Sequence, residues 1–132
     1  MTLRHATKTD APTLQSLINN VFDRKTAGTI NDSYFEDPSI ITLVLENKET
    51  IMATASLHLL VKVDRRVGLI EDVVVHPDAQ GQGLGKRVVA ELLKIAETKD
   101  CYKVILNTAK ETAPFYKKLG FRTKEIQMEK RT

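Results

Sequence analysis

One run constrains this chain more than any other: Val73-Val74-Val75-His76-Pro77-Asp78-Ala79-Gln80-Gly81-Gln82-Gly83-Leu84-Gly85-Lys86-Arg87-Val88-Val89. A β-branched triplet meets a proline, then three alternating glycines, then the opening of an amphipathic pattern, which predicts strand, tight turn and helix. Glycine carries no Cβ, so positions 81, 83 and 85 let the backbone turn sharply and a ligand come close. The first amides of the helix have no intrahelical acceptor, and the dipole there favours negative charge. A loop of this build suits phosphate or pyrophosphate.

Two familiar nucleotide loops do not fit it. The dinucleotide fingerprint is G-x-G-x-x-G, and the P-loop ends in Gly-Lys followed by Ser or Thr; here Lys86 follows Gly85 but Arg87 comes next. The spacing present is Gln80-x-x-Gly83-x-Gly85. It resembles the pyrophosphate-binding signature of the GNAT superfamily of N-acetyltransferases, which hold acetyl-coenzyme A.

The rest of the chain is compatible with a small enzyme. Its 132 residues read as a single domain, 1–132, able to bury roughly two thirds of its unfolded surface. With 42% hydrophobic and 28% charged residues it is ordinary globular material rather than a disordered chain. The single Cys101 excludes an internal disulfide, and the three histidines are too scattered for a metal site. No apolar run reaches the ~20 residues of a membrane span. Met1–His5 lacks the apolar stretch of a secretion signal, so a cytoplasmic location is expected. A net charge of +3 comes from interleaved signs, with no basic block and few aromatics. That argues against nucleic acid and for small anionic ligands.

Taken in order, residues 2–6 read as a short edge strand. A helix follows from Thr9 or Asp10, with Leu14, Leu17, Ile18, Val21 and Phe22 on one face. A short irregular helix is expected over 31–37. Ile40–Leu45 and Thr50–Val63 form a hairpin around the turn Glu46–Glu49, and Val67–Val75 is a strand covered on both faces. A helix to about Thr98 carries Val88, Val89, Leu92, Leu93 and Ala96 on one stripe. Then come a strand over Tyr102–Leu106, a helix over Thr112–Leu119 stopped by Gly120, and a last strand over Phe121–Glu129. This is an α/β chain with a mixed central sheet flanked by helices. It resembles the GNAT acyl-CoA N-acyltransferase fold, and the resemblance implies that the central strands splay apart to admit the cofactor.

Four further segments narrow the likeness to one branch, the glucosamine-6-phosphate N-acetyltransferases. They are Thr26-Ala27-Gly28-Thr29-Ile30, Ile70-Glu71-Asp72-Val73-Val74-Val75, Cys101-Tyr102-Lys103-Val104-Ile105-Leu106, and Pro114-Phe115-Tyr116-Lys117-Lys118-Leu119-Gly120-Phe121. They run in order from about residue 26 to the C-terminus. The resemblance implies acetyl transfer to the 2-amine of glucosamine 6-phosphate, a step toward UDP-N-acetylglucosamine. It implies direct attack in a ternary complex within a homodimer whose C-terminal strands interact. It also implies a cofactor cradle of Val73, Val74, Val75, Gln80, Gly81, Gln82, Gly83, Leu84, Gly85 and Lys86.

Acetyl transfer from a thioester requires a neutral amine, a stabilised oxyanion and a proton for the departing thiolate. Tyr116, a phenol of ordinary pKa ~10, matches the family tyrosine near the thioester sulfur. Glu71 and Asp72 are adjacent in an apolar strand, so they face opposite sides unless the strand bulges; the family places Glu71 and its neighbours against the sugar and the acetyl group. Asn107 stands where the family usually has a carboxylate near the substrate amine. An amide accepts a hydrogen bond but takes no proton at neutral pH, which leaves the base to Glu71 or a water chain. Lys62, Arg65 and Arg131 match positions that bind the sugar phosphate, and Lys25 and Thr26 match the loop closing on the sugar. His58 and Cys101 read as packing residues.

Two other readings remain at this level. Asn107 and the short N-terminal part suit a GNAT enzyme acting on another small amine, such as a polyamine, although Lys62, Arg65 and Arg131 would repel a cation. A non-catalytic acyl-coenzyme A-binding module that kept the loop is the third.

Overall fold

A computed structural model describes residues 1–22 and 29–132. The elements are β1 (Thr2–His5), α1 (Ala11–Val21), α2 (Asp32–Glu36), β2 (Ile40–Asn47), β3 (Thr50–Val61), β4 (Arg66–Val75), α3 (Leu84–Thr98), β5 (Cys101–Leu106) and α4 (Ala113–Lys117), with single 3-10 turns at Lys8–Asp10 and Pro77–Ala79. The strands form one sheet in the order β1-β2-β3-β4-β5. Neighbours are antiparallel except β4 and β5, which run parallel. A parallel pair cannot be closed by a tight turn, and α3 supplies the crossover.

The sheet sorts its side chains by parity. Leu43, Leu45, Ala53, Ala55, Leu57 and Ile70 pack with Val88, Val89, Leu92 and Ala96 of α3. Val44 and Val74, with Ile51 beyond the register shift in the β2–β3 pair, pack with Leu14 and Leu17 of α1 on the other face. So α1 and α3 cover opposite faces, and Val73-Val74-Val75 is apolar throughout because both faces are buried.

Three expectations need correction. The β2–β3 turn is tighter than the Glu46–Glu49 segment expected: Glu46 and Asn47 belong to β2, and only Lys48 (φ +49°) and Glu49 (φ +71°) turn the chain. Positive φ at both central residues suits the twist of a two-residue hairpin. On α1, Leu14 and Leu17 are buried, but Val21 and Phe22 in the last turn are exposed. The strand expected over Phe121–Glu129 is not formed. Residues 122–132 lie outside any strand, with Ile126 90% and Met128 89% exposed. Alternation alone makes no strand; the backbone groups need a neighbouring chain to pair with.

Arg4 ties the edge of the sheet to the start of α1. Its guanidinium donates to both Asp10 oxygens at 2.8 and 2.9 Å and to Glu46 at 3.0 and 3.1 Å. This pairing holds the Asp10 carboxyl below its ordinary range.

Candidate active site

β4 continues past the end of β5. Their pairing runs from Arg66↔Cys101 to Ile70↔Leu106 and stops there. Beyond it Glu71–Val75 continue with one edge open, while the chain leaves β5 into a loop toward α4. An open strand edge presents unpaired backbone donors and acceptors to an extended ligand. β4 thus outruns β5 by five residues.

The same stretch of β4 carries a bulge. Thr54 faces Val74 and Ser56 faces Glu71, so two steps along β3 correspond to three along β4. The extra residue is Asp72, in the left-handed region at φ +52°. An extra residue resets the side-chain alternation. Glu71, opposite Ser56, and Asp72, which lines a cavity with Ser56, therefore share the α1 face, while Ile70 and Val73 pack toward α3. Left-handed backbone at a residue with a Cβ costs about 1–2 kcal/mol, a strain often found beside functional sites.

At the far end of β4, Pro77–Ala79 makes its single turn, capped by His76 Nδ1 accepting from the Asp78 amide at 3.1 Å. The Gln80 side chain folds back, Nε2 donating to the Val75 carbonyl at 3.0 Å. Gly81 (φ +79°) and Gly83 (φ +76°) are left-handed, and a Cβ on either would meet open space. Gly83 is the N-cap of α3 and has no capping side chain, so the first amides of the helix are left for an external anion. Gly85 has a different reason to be glycine. A Cβ there would lie 3.3 Å from Val75 Cγ2 and 3.6 Å from Phe115 Cζ, so it permits close packing of helix, strand and α4 rather than ligand approach. Leu84 and Val74 are buried, and only their backbone can meet a ligand.

Tyr116 lies on the α3 side of this opening. It is 9% exposed, with its ring edge-on to Phe115 (4.9 Å) and Phe121 (5.9 Å). Burial raises its phenol pKa, so the proton stays on the oxygen. Its hydroxyl makes no hydrogen bond among the described residues and is not fully sealed from solvent. It is free to donate a proton to a ligand.

On the α1 face, below the bulge, is a cavity of about 530 Å³ between α1, α2 and the sheet. Tyr34, Thr42, Thr54, Ser56, Asp37 and Asp72 are among its lining residues. Sequence reasoning missed all of these except Asp72. A signal existed: Thr42, Thr54 and Ser56 are the same-face polar positions in otherwise apolar strands.

Asn107 directly follows Leu106, the register partner of Ile70, so its backbone lies beside Glu71, and it is exposed. The expected phosphate cations are not gathered in the same way. Lys62 and Arg65 form the tip of the β3–β4 hairpin, where Lys62 N–H donates to the Arg65 carbonyl and Arg65 pairs with Asp64. Roughly 16 Å of strand separates Arg66 from Glu71. Arg131 sits in the exposed C-terminal segment, beside Glu129 at 3.4 Å. One chain therefore does not bring Lys62 and Arg65 to Glu71 and Asp72. Lys25 and Thr26 lie outside the described residues. Cys101 is half-buried against the α3-side core and its thiol pKa is raised by desolvation, as suits packing. Among the described residues no group of three or more His, Cys, Asp or Glu could hold a metal ion, and no helix is long and apolar enough to cross a membrane.

An uncapped helix start behind left-handed glycines, an open strand edge leading away from it and a buried phenol on the α3 side of a mixed sheet are the features expected of a coenzyme A-dependent acyltransferase. Residues 8–121 match the Acetyltransferase (GNAT) family, to which the chain belongs. It is an acetyl-CoA-dependent N-acetyltransferase. It is 40% identical over 125 residues to the glucosamine 6-phosphate N-acetyltransferase of Trypanosoma brucei brucei, covering 91% of this chain and 79% of that protein. A Trypanosoma brucei acetyltransferase crystal structure superposes with a TM-score of 0.85 at 34% identity over 99% of each chain. The glucosamine-6-phosphate N-acetyltransferase of Arabidopsis thaliana does so at 0.78 and 30%, again over 99% of each.

Proposed function

We propose that this chain transfers the acetyl group of acetyl-coenzyme A to the 2-amine of glucosamine 6-phosphate, by direct attack in a ternary complex. The observation that carries the reading is the open edge of β4 with its bulge at Asp72, which runs from the Glu71–Asp72 pair toward the uncapped start of α3. The relatives named above support the choice of acceptor. The residues fit the cofactor: Gly81 and Gly83 leave open a space that side chains would fill, and the amides of Leu84, Gly85 and Lys86 face it uncapped.

When bound, acetyl-coenzyme A supplies an activated thioester carbonyl. The chain's own residues do the rest. Backbone amides from Gly81 to Lys86 hold the diphosphate. The open edge of Val73–Val75 aligns the pantetheine arm as an added strand would be aligned. Tyr116 donates its proton to the departing sulfur. Glu71 and Asp72 orient the amine on the opposite face, and Glu71 or a bound water takes its proton, since Asn107 cannot.

The phosphate cations are supplied across a homodimer in this reading. Residues 122–132 expose Ile126 and Met128, and β5, the last strand of the sheet, exposes Tyr102 and Ile105. Pairing of these segments between two copies buries both sets and carries Arg131 to the neighbouring site. A cytoplasmic enzyme in the route to UDP-N-acetylglucosamine, acting without nucleic acid, membrane or metal, completes the proposal.

A thiol-release assay tests it. Glucosamine 6-phosphate is expected to be acetylated with a kcat/KM well above that of glucosamine. A specific observation favours a second reading, another small amine such as a polyamine: the described lining of the cavity holds Asp37 and Asp72 and no Lys, Arg or His. Higher kcat/KM for spermidine than for glucosamine 6-phosphate would select it.

A further inference from the structure

The floor of the α1-side cavity holds a closed ring of three hydroxyls. Tyr34 Oη lies 2.7 Å from Thr42 Oγ1 and 2.5 Å from Ser56 Oγ, and these two are 2.9 Å apart. Tyr34 comes from α2, Thr42 from β2 and Ser56 from β3. The nearest alternative explanation, a sealed structural network, fits poorly, because all three residues line open volume together with Asp72.

The chemistry of such a ring is directional. Each hydroxyl has one proton and two acceptor lone pairs. Three contacts closed in a cycle use all three protons, so what the ring offers outward is acceptor capacity. The two carboxylates of the lining act the same way. Hydrogen bonds from the Ser39 hydroxyl and amide hold Asp37 in its ionised form. Asp72 is turned into the cavity by the bulge. A lining of acceptors, with no Lys, Arg or His among its described residues, recognises O–H and N–H donors better than it does phosphate.

We propose that the Tyr34–Thr42–Ser56 ring is a specificity determinant, accepting hydrogen bonds from hydroxyl groups of a polyhydroxylated amine whose amino group lies toward Asp72 and the β4 bulge. This rests on the reading above that the acceptor is an amino sugar, and it adds which end of the sugar enters the cavity. The hydroxylated, amine-bearing end goes in and the phosphate stays out.

The test compares glucosamine 6-phosphate with cyclohexylamine, an amine of similar ring size without hydroxyls, in the wild-type chain and in Tyr34→Phe. Thr42→Val serves as a second variant should the first fail to fold, judged by thermal melting and acetyl-coenzyme A binding. Losing one such hydrogen bond is expected to raise KM for glucosamine 6-phosphate about 3–10-fold with little change in kcat. KM for cyclohexylamine and affinity for acetyl-coenzyme A should stay as they were. The ring proposal is overturned if the preference for the hydroxylated amine over cyclohexylamine is the same in wild type and variants. The functional reading fails separately, if wild-type protein does not acetylate glucosamine 6-phosphate. In that case the ring is judged on the wild-type preference between glucosamine and cyclohexylamine and its loss in Tyr34→Phe.

Discussion

Tyr116 suits proton donation because its surroundings are apolar: burial disfavours the phenolate, so the proton stays on through neutral pH and beyond the ordinary phenol value of 10.0. Tyr116→Phe keeps the ring packing against Phe115 and Phe121 and removes only the proton. Turnover should fall by ~10²–10⁴ with acetyl-coenzyme A affinity retained, as single-turnover kinetics and calorimetry can check. The wild-type rate should lose this contribution only at pH above 10.0. Asn107 tests the other half of the proton balance. Asn107→Asp restores a carboxylate and should raise turnover and shift the acidic limb of the pH profile; an unchanged profile would make Asn107 structural.

At the scale of elements, the glycines of the β4–α3 connection divide their tasks. Gly83→Val would place a β-branched residue at φ +76° and a side chain in the open space proposed for the diphosphate. It should cost about 1–2 kcal/mol of stability and most of the acetyl-coenzyme A affinity. Gly85→Val should instead act through packing, by forcing Val75 and Phe115 apart, and so lower the melting temperature first. The β1–α1 connection gives a pH test. The folded pKa of Asp10 lies below its unfolded value of 3.8, so the ion pair with Arg4 contributes fully above pH 3.8 and is lost as pH falls through the folded value. Asp10→Asn should destabilise by about 1–3 kcal/mol at neutral pH and flatten the loss of stability below pH 3.8, as denaturant melts at several pH values would record.

For the whole molecule, the unpaired C-terminal segment is decisive. Ile126 and Met128 expose large apolar side chains on a stretch with no strand partner. If this segment joins two copies, Ile126→Asp with Met128→Asp should convert a dimer to a monomer in sedimentation velocity. The same variant should raise KM for the phosphorylated sugar, since Arg131 travels with the segment. A wild-type monomer with an unchanged KM in the variant would refute the shared phosphate site.

Local rules carried much of the reading. The glycine spacing, the proline stop and the apolar periods are written within a few residues of each other, so the β4–α3 turn, α3 and the succession of the first five strands along the chain could be read from the sequence alone. Glu71 and Asp72 could be read as a conflict, two adjacent carboxylates that a regular strand would send to opposite faces. Only the tertiary structure resolved it, because a bulge exists in the register between two strands and not in either strand by itself. The hydroxyl ring of Tyr34, Thr42 and Ser56 has the same character, being assembled from three elements far apart in sequence. The last strand failed for the converse reason: its alternation was present, but a strand needs a partner, and pairing is a property of the fold or of a second copy.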